Sequence, residues 1–216
     1  MKLLLLGATG RVGRELLRLA LADGHDVVAL VRSLEKMESV CRELERDARS
    51  NASLTIRQGD ARSREDVGRA LLGVDAVLCS LNTDGGTALS ASMTVIVDAM
   101  QELGVRRIVT VGTAGILQSR LEPHLLRYRS SETRRTSTAA AEDHERTYHL
   151  LAASSLDWTL VCPTYLPEGP ATGQYRVERE VLPEGGSRIT TGDTAEFTYR
   201  QLTRDDFSKC RVGIAE

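Results

Sequence analysis

The seven residues Gly7-Ala8-Thr9-Gly10-Arg11-Val12-Gly13 carry the clearest chemistry in this chain of 216 residues. They follow an apolar run, Leu3-Leu4-Leu5-Leu6, and lead into Glu15-Leu16-Leu17-Arg18-Leu19-Ala20. The order strand, glycine-rich turn, helix suits a dinucleotide pyrophosphate. One glycine permits the tight turn, another lets backbone approach phosphate, and the third lets the helix pack closely on the strand. The helix start then offers unpaired N–H groups and a positive dipole end to the anion. The spacing is G-x-x-G-x-x-G rather than the commoner G-x-G-x-x-G, which points to a different branch of nucleotide-binding chains. Gly7, Thr9, Gly10, Arg11, Val12 and Gly13 are therefore candidate cofactor contacts.

The second apolar run ends Val31-Arg32-Ser33. NAD-selective chains place an acid here for the ribose 2′-hydroxyl, and a carboxylate would repel a 2′-phosphate. Arg32 instead presents a planar cation suited to phosphate, and Ser33 adds a hydroxyl donor. Arg11, inside the glycine loop, can approach the same group. The implied cofactor is NADP(H). The third run ends Gly59-Asp60-Ala61, where a carboxylate can accept from the adenine amino group and Ala61 can pack on the ring. Ser80-Leu81-Asn82, after the fourth run, should line the adenosine and ribose side, adding Leu81 and Asn82 to the set.

Many enzymes of this architecture use a Tyr and a Lys spaced Y-x-x-x-K, the lysine lowering the tyrosine pKa for proton transfer. Here only Lys2, Lys36 and Lys209 of the 28 basic residues are lysines, and none has a tyrosine four residues earlier. Alcohol oxidation or sugar epimerisation by that dyad is disfavoured.

Further segments occur in order: Val111-Gly112-Thr113-Ala114, Glu142-Asp143-His144, Ser155-Leu156-Asp157-Trp158, Cys162-Pro163-Thr164-Tyr165, Thr172-Gly173-Gln174-Tyr175, Ser187-Arg188-Ile189 and Asp193-Thr194-Ala195-Glu196-Phe197. With the glycine loop, Leu30-Val31-Arg32-Ser33 and Gly59-Asp60-Ala61, the chain resembles the atypical short-chain dehydrogenase/reductases over nearly its whole length. The specific likeness is to the biliverdin-IXβ reductase/flavin reductase-like and NmrA-like NAD(P)-binding group. The resemblance implies a reductase that delivers hydride from NADPH to a flat conjugated acceptor, such as a flavin, a quinone or a linear tetrapyrrole. It also implies site residues. The family's serine at the fifth strand end corresponds to Thr113, and its Asp-His helix position to Asp143-His144. Its histidine after the sixth-strand proline is replaced by Tyr165.

Thr113, His144 and Tyr165 are thus the candidate catalytic residues. Thr113 would orient the carboxamide or the acceptor. His144 would hold a ribose hydroxyl or supply a proton near neutral pH. Tyr165 would donate a hydrogen bond or form an aromatic wall. Thr113, His144, Pro163 and Thr164 also join the cofactor set. Flavin reduction depends on positioning more than on protein acids and bases, so the missing dyad does not exclude it. NmrA-like members include NADP(H)-binding regulators that turn nothing over, so a non-catalytic redox sensor is the alternative.

Positioning these residues requires alternating strands and helices. Apolar runs predict strands at 2–6, 26–31, 54–58, 76–80, 107–111, 158–162, 188–190 and 211–214. Amphipathic segments predict helices at 11–23, 34–49, 64–72, 88–103, 139–153 and 193–202. Strands apolar throughout and separated by helices imply an α/β fold: a doubly wound parallel Rossmann-like sheet with helices on both faces. A single domain should span residues 1–216. Gly24 and Gly104 should end the first and fourth helices, Ser63 with Asp66 should cap the third, and Ser137-Thr138 the fifth. Irregular stretches at 118–135 and 163–186 follow the fifth and sixth strands, at the carboxyl edge where ligands bind. The first reads as a substrate lid. Segments 113–138 and 163–186 together should form the acceptor crevice.

Bulk properties narrow the class. At 41% hydrophobic residues, this length builds one core but not two large domains. A formal charge of −2 leaves no electrostatic footprint for nucleic acid. No apolar run approaches a membrane span, and the N-terminal leucines read as a buried strand rather than a signal peptide. Cys41, Cys79, Cys162 and Cys210 are scattered without metal-ligand spacing and fit buried thiols in a reducing cytoplasm. The expected protein is a cytoplasmic monomer or homodimer whose partner is a small-molecule acceptor, not nucleic acid or membrane.

Overall fold

Leu3, Leu4, Leu5 and Leu6 are each at most 1% exposed, so their strand lies inside a sheet covered on both faces. Alternate side chains serve opposite cores, as the two-residue period of a strand demands. Leu4 and Leu6 pack in one cluster, Leu3 and Leu5 in the other. A computed structural model describes residues 1–44, 52–133 and 137–216. In chain order its elements are β1 Lys2–Leu6, α1 Arg11–Ala22, β2 Asp26–Val31, α2 Leu34–Leu44, β3 Leu54–Gln58, α3 Arg64–Leu71 and β4 Ala76–Cys79. There follow α4 Ala88–Leu103, β5 Arg107–Val111, α5 Ala139–Ala153, β6 Asp157–Pro163, β7 Arg176–Arg179, α6 Thr191–Arg200 and β8 Cys210–Ala215.

The sheet order is β3-β2-β1-β4-β5-β6-β8-β7. Helices α3, α4 and α5 supply the apolar residues of one core, and α1, α2 and α6 those of the other. The order turns back at β1, between β2 and β4. In doubly wound sheets that switch point, at the carboxyl ends of the strands, is where ligands bind, and the glycine loop lies beside it.

Two expectations need correction. Segment 188–190 is not a strand. Arg188 makes a single bridge to Tyr165, and Thr190 accepts from the Asp193 N–H at 3.0 Å, so cap chemistry starts α6 at Thr191. The strand in this region is β7, which pairs antiparallel with β8 and makes the sheet mixed at that edge. Its sequence Arg-Val-Glu-Arg reads as loop because an edge strand keeps charges toward solvent.

Caps behave as their chemistry predicts at Ser63, whose hydroxyl accepts from Asp66 N–H at 3.2 Å, and at Gly104, which ends α4 at φ 72°. Thr138 differs: its hydroxyl donates to Glu142 rather than accepting a backbone N–H. The predicted second helix runs on to residue 49, but residues 45–49 lie outside the described residues, as do residues 134 and 135 of the irregular stretch.

Candidate functional site

Three glycines build the loop after β1 for different reasons. Gly7 sits at φ +86°, and a Cβ there would lie 2.7 Å from the Ser80 backbone. A Cβ on Gly13 would lie 2.0 Å from the Gly7 carbonyl oxygen. The fold itself requires both glycines. Gly10 is exposed at φ −81° and ψ 165°, which any residue adopts, and its Cβ would meet only the Gly7 oxygen, at 3.3 Å. Gly10 also starts α1 without a side-chain cap, and the first turn carries no acid. A bare helix start beside an open glycine is a cradle for an anion. Gly10 N–H closes the turn on Gly7 at 2.9 Å, and Ser80 Oγ donates to the Leu6 and Gly7 carbonyls. Val12 is buried at the start of α1, and Thr9 is half-buried.

The residues expected on the adenosine side lie where β2 and β3 end. Gly59 N–H donates to Val31 at 3.0 Å, which sets the loop after β3 beside Arg32. Arg32 is exposed. Ser33 Oγ accepts from Lys36 N–H at 3.2 Å and so starts α2. Asp60 is engaged by a neighbour that sequence reasoning missed. Arg62 donates to both its carboxylate oxygens, from Nε at 3.1 and 3.2 Å and from a terminal nitrogen at 2.7 Å. Those bonds, with Arg32 nearby, hold the Asp60 pKa down at about 2. Ala61 is buried beneath. Arg11 does not turn toward Arg32. It donates to the Leu166 carbonyl at 2.9 Å and ties α1 to the segment after β6.

Leu81 packs against the core and Asn82 is exposed, accepting from Thr83 N–H at 2.9 Å. Thr83 Oγ1 then donates to Asp143 at 2.7 Å. Asp143, fully buried on α5, also accepts from Leu89 N–H at 3.0 Å, Ser90 N–H at 3.1 Å and Ser90 Oγ at 2.6 Å. It therefore caps α4 from a neighbouring helix, where Thr87 supplies no side-chain cap. Burial, the largest influence, pushes its pKa up, but the bonds from Ser90, Thr83 and Leu89 together bring it below 3.8.

His144 follows, also buried, in the half of α5 that starts at the carboxyl edge. Thr113 comes after β5 in extended backbone and accepts from Gly115 N–H at 3.4 Å. Pro163 is the buried last residue of β6, and Thr164 donates to the Ser187 carbonyl at 3.4 Å. Tyr165 stands 71% exposed, on the rim rather than inside.

Residues 7–205 match the model of the NAD(P)H-binding family. The chain belongs to that family. It is 27% identical over 97% of its length to the photosystem II assembly factor Ycf39 of Synechocystis, of which it spans 60%. The chain thus covers less than two thirds of that relative. Among solved structures it is similar to ChuY, an anaerobillin reductase from Escherichia coli O157:H7, with a TM-score of 0.77 and 22% identity, covering 100% of this chain and 97% of that one. A short-chain dehydrogenase/reductase from Veillonella parvula in complex with NADP gives a TM-score of 0.75 at 18% identity, covering 100% and 94%. Both likenesses are of fold. Among the described residues no helix is long and apolar enough to cross a membrane.

In this NAD(P)H-binding protein two further carboxylates hold the loops after β5 and β6. Asp193, fully buried at the start of α6, accepts from Thr172 N–H at 2.7 Å, Gly173 N–H at 2.8 Å and Thr172 Oγ1 at 2.9 Å. Glu132 closes the stretch after β5: it accepts from Ser119 Oγ at 2.6 Å, Leu121 N–H at 3.0 Å and Arg127 Nε at 2.8 Å. Arg120 pairs with Glu178, and Arg129 with Glu145 at 2.7 Å, fastening the same stretch to the body. The described arginines of this stretch are thus spent on structure.

Burial, the largest influence on Glu132, raises its pKa, but the bonds from Ser119, Arg127 and two backbone N–H groups override it and lower the value from 4.5 to about 2. A depressed carboxylate stabilises the fold fully above its unfolded pKa and loses that contribution as pH falls through the folded one. Glu132→Gln should therefore cost about 3 kcal/mol at neutral pH, and the deficit should shrink between pH 4.5 and about 2. Denaturant unfolding across that range measures it. A deficit independent of pH means the charge is not what holds the loop.

Proposed function

We propose that this protein transfers hydride from NADPH to a flat conjugated acceptor, of the flavin, quinone or tetrapyrrole-like class. Gly10 is the observation that carries the cofactor half: it is exposed at the uncapped start of α1, and without a side chain its backbone stays open to phosphate approach. The glycine loop and the start of α1 would hold the diphosphate. Arg32 would hold the 2′-phosphate, with Ser33 adding a hydroxyl. The bound reduced nicotinamide supplies the hydride. The chain's own residues orient the partners and exclude water. Thr113 would present its hydroxyl to the carboxamide or acceptor, and His144 would hold a ribose hydroxyl or a proton. Tyr165 would wall the acceptor at the rim of a crevice made by 113–138 and 163–186. The anaerobillin reductase name of ChuY supports a flat conjugated acceptor. The buried thiols of Cys79, Cys162 and Cys210 support a cytoplasmic setting.

Arg32→Ala should weaken NADPH binding about 10- to 100-fold and leave NADH binding nearly unchanged, since a charged hydrogen bond to the 2′-phosphate is lost. Fluorescence titration of both cofactors checks it, and equal losses sink the NADP assignment. For the acceptor half, NADPH oxidation is followed with FMN, riboflavin, quinones and biliverdin. Turnover with one of them bears the reading out. Tight NADPH binding without oxidation by any of them overturns it in favour of a redox sensor.

A further inference from the structure

We propose that Arg62 is the outer wall of the adenine subsite, its guanidinium stacking on the base. The inference rests on this chain's NAD(P)H binding but not on any acceptor. The loop after β3 is tied within itself and to the start of α3 by its own hydrogen bonds. Asp66 accepts from Asp60 N–H at 3.0 Å, Ser63 N–H donates to the Asp60 carbonyl at 2.9 Å, and a Cβ on Gly59 would lie 2.8 Å from Asp66.

On that frame Asp60 grips Arg62 through backbone N–H at 2.9 Å and through the guanidinium fork. A fork bonded to a carboxylate is fixed in plane and direction. The side chain nevertheless stays 54% exposed. Arg62 follows β3, the edge strand that lies beside β2. Arg32 is near enough to depress Asp60, and Asp84 near enough to raise Arg62. This is the carboxyl edge where a Rossmann-type sheet receives adenosine.

Asp60 alone would serve as acceptor for the adenine amino group. With both its oxygens committed to Arg62, its main part becomes to hold the guanidinium flat. Arginine planes stack on aromatic faces, with cation–π attraction added. Arg32 and Arg62 then divide the adenosine: one takes the 2′-phosphate, the other the base.

The test measures dissociation constants for NADPH, NADH and reduced nicotinamide mononucleotide, which lacks adenosine. The proteins are the wild type, Arg62→Ala and Arg62→Lys. Wild-type binding of NADPH or NADH is established first; its absence would remove the cofactor reading itself. Stacking predicts that both variants lose about 10-fold for NADPH and NADH alike, with the mononucleotide unchanged. Recovery by Lys overturns the proposal, because charge without a plane would then suffice. A loss confined to NADPH overturns it in favour of phosphate contact, and no loss in either variant reduces Arg62 to a surface ion pair.

Discussion

Gly10→Val should weaken NADPH and NADH binding at least about 100-fold while costing much less stability than Gly13→Val. The two effects separate because the three loop glycines have different causes. Gly10 already has φ −81° and ψ 165°, a region that suits a β-branched residue. Its Cβ would meet the Gly7 oxygen at 3.3 Å, a tight contact that needs a few tenths of an ångström of give, far less than Gly13 would demand. The valine methyls would then stand over the uncapped start of α1, where phosphate must come. Gly13→Val is the contrasting control. Its Cβ would sit 2.0 Å from the Gly7 oxygen, inside van der Waals contact, so helix and strand must part and the fold suffers with the binding. Thermal melting with cofactor titration separates the two variants. Undiminished binding by Gly10→Val means that the pyrophosphate lies elsewhere.

What the sequence reveals follows the range of the interactions involved. β1 is legible because four consecutive leucines are buried on both faces of a central strand. The glycine loop is legible because its turn and helix start involve Gly7, Gly10 and Gly13 alone, although the Gly7 approach to Ser80 is not local. β7 is hidden because an edge strand needs no apolar alternation, and segment 188–190 misleads because Ile189 is buried without joining the ladder. At the site, Arg32 is legible from its position after β2. The Arg62 fork is local, two residues from Asp60, and an arginine following a turn aspartate is a signal that reading the pair together would have caught. Asp143 and the loop-holding part of Asp193 show no such local signal, because their partners on Thr83, Ser90 and Thr172 lie between 21 and 60 residues away; only the Thr190–Asp193 cap is local. A carboxylate on an amphipathic helix looks solvated until the topology places another helix start against it.

Asp143→Ala should cost about 3–5 kcal/mol at neutral pH, the scale for removing one partner from a buried charged network. The loss is large because four groups depend on one carboxylate. Leu89 N–H and Ser90 N–H would lose the cap of α4, and the Thr83 and Ser90 hydroxyls would lose their acceptor. Arg146, 3.3 Å away, would lose its counter-charge. Asp143→Asn isolates the charge, since one amide oxygen still accepts while the NH₂ group meets donors. Because the folded pKa lies below 3.8, the charged form's contribution is complete above that value and is lost as pH falls through the folded pKa. The gap between wild type and Asp143→Asn should therefore close in acid, whereas the cavity part of the Ala deficit persists. Chemical unfolding at neutral and acid pH measures both. The loop carrying Leu81 and Asn82 hangs on Thr83, so the same variants should also weaken NADPH binding in the protein that remains folded. A cost below about 1 kcal/mol for Asp143→Ala would show that α4 keeps its start without Asp143.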